Sequence, residues 1–107
     1  MNDDKLVCVY CDVMQQVLVL TQSMLEHATQ DEWDKVALLE IERVTLLQNH
    51  GDLPSEPETI SHAADLVSQI QATNLLIVDL GNKQIKSLSA QSQDIGRGRQ
   101  AVAAYGR

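Results

Sequence analysis

Apolar positions recur three and four residues apart from Leu6 onward. Leu6, Tyr10, Val13, Val17, Leu20 and Met24 form one stripe, with Val7, Met14, Leu18 and Leu25 forming a second beside it. This is the period of an α-helix and predicts a first helix over about 5–28. Two adjacent stripes, roughly 100° apart by the helical period, make a face wide enough to meet two neighbours. Thr29, Gln30 and Asp31 then interrupt the pattern. Asp31 is expected to cap a second helix over about 32–48, its carboxylate accepting from the free amides of the first turn, while Glu32 and Asp34 complement the positive helix start. Trp33, Val36, Ala37, Ile41, Val44 and Leu47 are expected on the inward face, leaving Leu39 and Leu46 off it.

Gly51 suits a helix C′ position and Pro54 discourages helix before it. Ser55-Glu56-Pro57-Glu58 has the pattern of a capping box with proline tolerated in the first turn. Ile60, Ala63, Val67, Ile70, Asn74, Ile77, Gly81, Ile85 and Leu88 then carry a third helix over 56–92 or beyond. The pattern weakens only after Ile95-Gly96-Arg97-Gly98, and Gly81-Asn82 is the one interior stop candidate. The expected fold is all-α: a single domain over 1–107, built as an antiparallel bundle of three main helices, with room for a fourth short C-terminal segment. At 1.5 Å per residue the third helix would be roughly 55 Å long, against about 36 Å and 25 Å for the first two. Its surplus apolar surface must be met by a fold-back, a second protomer or a binding partner, and a homodimer of the free protein is expected.

Composition narrows the core. With no Phe, one Trp and two Tyr among 107 residues, the interior must be built from Leu, Val, Ile, Met and Ala, a palette suited to helix-on-helix packing. Charge is unevenly spread. Residues 1–82 hold 14 acidic and 3 basic side chains, whereas 83–107 hold 1 acidic and 5 basic. An acidic body with a short basic tail and no interleaved aromatics argues against direct nucleic-acid binding. No apolar run approaches the roughly 20 residues of a membrane span, and Met1-Asn2-Asp3-Asp4 lacks the positive start of a signal peptide. The expected location is the cytosol, with Cys8 and Cys11 reduced.

Little in the sequence points to catalysis, and neither an enzyme nor a cofactor is expected. Cys8-Val9-Tyr10-Cys11 has the spacing of a redox or metal half-site. It lies in a helical pattern with no preceding strand, and one CxxC cannot complete a structural zinc shell. Both thiols are expected on a flank away from the main seam, as inert residues, with redox or metal chemistry the alternative. His27, His50 and His62 are scattered and lack an HExxH context, and Gly96 and Gly98 belong to no phosphate loop. Glu40 falls among apolar residues of the second helix with Arg43 near it, so it needs a partner. Either an Arg43 pair fixes helix register or Glu40 and Arg43 present a polar contact to another protein. Asn74 has the same two readings. Leu76 and Leu80 are expected on the back of the third helix with Leu66 at the edge of that surface, and with Leu39 and Leu46 they are either core against a fold-back segment or second protomer, or a surface for a client protein.

Thr21-Gln22-Ser23-Met24-Leu25-Glu26 followed by Asp31-Glu32-Trp33-Asp34, then Leu39-Glu40-Ile41-Glu42-Arg43 with Leu46-Leu47, then Leu88-Ser89-Ala90 and Ala104-Tyr105-Gly106-Arg107, occur in one order. Together, over residues 6–107, they resemble the FliT family of flagellar type III export chaperones. The resemblance implies a small helical bundle that keeps the filament-cap protein export-competent and delivers it to the export apparatus. In some members it also implies restraint of the flagellar master transcription regulator. Client and export partners would compete for helix surfaces, chiefly on the third helix. Family members often continue past the Tyr-Gly-Arg motif into a short masking helix, whereas this sequence ends at Arg107, so self-inhibition is not carried over.

Overall fold

Each of the three periodic segments is a helix in the computed structural model of the protein, which describes residues 8–98 and side chains through residue 90. Helix α1 is Val9–Thr29, α2 is Trp33–Gln48 and α3 is Pro57–Gly98. No strand occurs among the described residues. The first helix begins at Val9 rather than near Lys5, because Cys8 is extended and serves as its N-cap; Leu6 and Val7, the Ala104–Arg107 motif and any fourth C-terminal segment lie outside the described residues.

Two of the expected helix starts shift by a residue, for local reasons. Asp31 does not cap α2: its backbone is left-handed at φ 61°, and its carboxylate accepts from Trp33 Nε1 at 3.3 Å. Glu32 occupies the N-cap position instead. At α3 the helix begins with Pro57, and Ile60 N–H donates to the Glu56 carbonyl. Pro57 thus sits at the first helical position, where its missing N–H costs nothing. The third helix runs through Gly81 without a break for 42 residues.

The chain divides into two compact units, Met1–Ile77 and Val78–Arg107. The first holds the core. Both stripes of α1 turn inward: Val13, Met14, Val17, Leu18 and Met24 are buried, as the wide face predicts. Cys11, Val13, Met14, Val17 and Leu18 pack with Ala63 and Leu66 of α3, and Leu46, Val67 and Ile70 close around them half-buried. Contacts between α1 and the α2 region run in opposite sequence order, from His27 with Glu32, through Thr21 with Arg43, to Tyr10 against His50 edge-on at 5.3 Å. In the second unit Val78, Ile85 and Leu88 are exposed.

The inward face of α2 is rotated from the expected one. Val36 is its one buried residue, and Leu39, Glu40, Arg43 and Leu46 are half-buried beside it, while Ala37 and Ile41 are exposed. Leu39 and Leu46 therefore lie on the packed side, and Ile41 does not. The cause is Arg43. An apolar-only count places it off the seam, but its guanidinium finds partners on both neighbouring helices and draws that side of α2 inward.

Candidate functional site: an apolar groove with a polar clasp

The first unit contains a groove of about 690 Å³ between α2 and α3, floored by α1. Met14 and Val17 form the floor and are almost fully buried. Leu47 of α2 lines it together with Val67 and Ile70 of α3. At the rim stand Leu53 and Leu75, each 68% exposed. Tyr10 and Leu53 also line a second hollow of about 430 Å³ that reaches Ile60 near the start of α3, so the apolar surface continues past Tyr10.

The groove exists because α2 cannot close on α3. Where a tight bundle would place apolar knobs, α2 carries Glu40 and Arg43. Arg43 Nη1 donates to Thr21 Oγ1 of α1 at 3.1 Å and to Asn74 Oδ1 of α3 at 3.0 Å, and Nη2 donates to Glu40 at 2.5 Å. One guanidinium thus bonds to a residue of each helix. Thr21 is fully buried; its hydroxyl donates to the Val17 carbonyl at 2.7 Å and accepts from Arg43, so both of its roles are filled. The Arg43 side chain is only 13% exposed, whereas that of Glu40 is 44% exposed. Glu40 therefore keeps free acceptor capacity facing the groove.

The residues expected at the interface separate. Glu40 and Arg43 line the groove, and Arg43 donates to Asn74 as well as pairing with Glu40. Leu66 is corrected: at 3% exposed it belongs to the core, because α3 turns it onto α1. Leu76 is 55% exposed and lies outside the groove. Leu80 is half-buried. Tyr10, Leu47, Leu53 and Leu75 line the groove without having been singled out. Of these, Leu53 carried a readable signal, a lone large apolar residue in a polar connection before Pro54.

A family model for the flagellar protein FliT matches residues 12–107. The chain belongs to the FliT family. Membership implies a flagellar chaperone role, and the FliT match covers every residue lining the groove except Tyr10. Neither the curated proteins nor the solved structures compared with the chain give a match. No helix among the described residues is long and apolar enough to cross a membrane. Among the same residues no three His, Cys, Asp or Glu side chains come together as a metal site.

Proposed function

We propose that this FliT-family protein is a cytosolic export chaperone that seats an amphipathic helix of the flagellar filament-cap protein in the α2–α3 groove and hands it to the export apparatus. The observation that carries this reading is the groove itself, an open, apolar trough with a floor of Met14 and Val17 and exposed leucines on its rim. Helix-in-groove recognition uses such a surface, the client burying apolar anchors one helical turn apart. Glu40 supplies a polar contact at the Arg43 end, where the client helix would present a donor. No chemistry is needed for this role. In this reading the three helices form one antiparallel bundle domain, and the free protein is a homodimer whose interface includes the client surface. Leu76 and Leu80 are a second candidate contact. Their paired alanine replacements would weaken client binding without loss of helicity.

Co-expression with the filament-cap protein, followed by size-exclusion chromatography with light scattering, tests the reading. A one-to-one complex replacing a free dimer supports it; two proteins eluting separately, with the chaperone folded, would refute it. A second reading, restraint of the flagellar master transcription regulator through protein contact, draws on the 14 acidic side chains of residues 1–82, which suit a basic DNA-binding surface. Competition between DNA and this protein for the regulator would separate the two.

A further inference from the structure

The client-binding role leaves Cys8 and Cys11 unused, and the structure places them differently from the sequence pattern. Cys8 is not inside α1 but is its N-cap, with extended backbone, φ −99° and ψ 113°. Its sulfur accepts the Cys11 backbone N–H at 3.2 Å, the position a Ser or Asp oxygen takes in an ordinary cap. Cys11, one turn on, does not lie on an outer flank. It is 6% exposed within the core cluster, and its thiol donates weakly to the Thr59 carbonyl at 3.8 Å. Helical geometry sets residues three apart at about 5 Å between Cα atoms, inside the range a disulfide spans. The two thiols are thus adjacent but unequal: Cys8 half-buried at a helix end, Cys11 enclosed.

We infer that Cys8 and Cys11 are a redox-active dithiol, with Cys8 the attacking thiol toward small-molecule disulfides and Cys11 the resolving one. The Cys8 thiolate attacks one sulfur of a disulfide such as oxidised glutathione. That S–S bond breaks, one glutathione thiolate leaves, and a mixed disulfide remains on Cys8. Cys11 then gives up its proton to solvent and attacks Cys8 Sγ, expelling the second glutathione and closing the Cys8–Cys11 bond. Two protein thiols are oxidised and one small disulfide is reduced to two thiols. The order follows from access, since the attacking sulfur must meet a solvent-borne disulfide. Burial, and after it the hydrogen bond with Cys8, also pushes the Cys11 thiol up to about 11, which keeps it from attacking first. In a reducing cytosol the pair stays open and closes when the glutathione pool is oxidised.

The reduced full-length protein, incubated with oxidised glutathione, acid-quenched and weighed intact, gives the test. The wild type is expected to lose two hydrogen masses, to carry no lasting glutathione and to recover fully with dithiothreitol. Cys11→Ala is expected to stop at a single glutathione adduct. Cys8→Ser, which retains a capping oxygen and so the fold, is expected to react at least about tenfold more slowly than Cys11→Ala. The urea-unfolded chain supplies the reference in which both thiols are equally open. A persistent glutathione adduct on the wild type, or equal rates for the two variants in the native state as in urea, would overturn the inference.

Discussion

Replacing Arg43 with alanine removes the one side chain among the described residues that bonds to all three helices. Its bonds to Thr21 and Asn74 matter most, because Thr21 has no access to water and loses the donor that Arg43 supplies to its hydroxyl. Each such bond from a charged group to a buried or half-buried acceptor contributes about 1.5 kcal/mol, the low end for a charged partner. The Glu40 pair adds no more than about 0.5 kcal/mol, since its carboxylate is 44% exposed and screened by solvent. Lost packing of the arginine stem adds about 0.5–1 kcal/mol. The expected destabilisation is about 3.5–4.5 kcal/mol, read by urea unfolding followed by far-UV circular dichroism. Lysine at this position keeps the charge but not the fork, so it should recover less than half of the loss. Pairing Arg43→Ala with Asn74→Ala should expose a coupling of about 1 kcal/mol. A single-variant cost under about 0.5 kcal/mol, the range of an ordinary surface change, would refute the reasoning.

Leu66 and Leu76 should part company: Leu66→Ala is expected to cost about 2–5 kcal/mol by leaving a core cavity, and Leu76→Ala to stay within about 0.5 kcal/mol, both by urea titration. Gly51→Ala should destabilise by about 1–2 kcal/mol, because Gly51 holds φ 79° and an added Cβ would stand 2.8 Å from Val9 Cγ1. The His27 hydrogen bond at 2.6 Å holds the Glu32 carboxyl below its ordinary 4.5. A depressed folded value means a contribution present above the unfolded value and lost as pH falls through the folded one. The stability gap between wild type and Glu32→Gln should therefore close as the pH drops below about 4.5; a gap that widens in acid would contradict the pairing.

Helix number, order and approximate ends were legible in the sequence because the apolar period of α1 and α3 is long and regular. The width of the α1 face was legible too, and it correctly implied two neighbours. Four things were not. The orientation of α2 was missed because a count of apolar positions cannot see that Arg43 turns inward through its hydrogen bonds to Thr21 and Asn74, with Glu40 bonded to it. The groove was missed because it is a shortfall of packing between α2 and α3, made jointly by residues as distant as Tyr10, Leu53 and Leu75. Leu66 was misplaced because its spacing fits both edges of a broad stripe, and only its burial in the core cluster with α1 residues decides between them. The cysteine pair changed meaning with the helix start: one residue inside a helix is inert packing, and the same residue at the N-cap is a presented thiol.

The central claim is that the α2–α3 groove receives the client helix. Isothermal titration of the filament-cap protein into wild type, into Leu53→Asp/Leu75→Asp and into Leu38→Asp tests it most directly. Leu53 and Leu75 rim the groove, whereas Leu38 is comparably exposed at 66% but lies outside it. Two buried anchors turned to carboxylates should weaken binding by at least about a hundredfold, while the Leu38 variant binds as wild type and all three keep their helicity. Undiminished affinity in the Leu53→Asp/Leu75→Asp protein would contradict the account and place the client elsewhere on the chain.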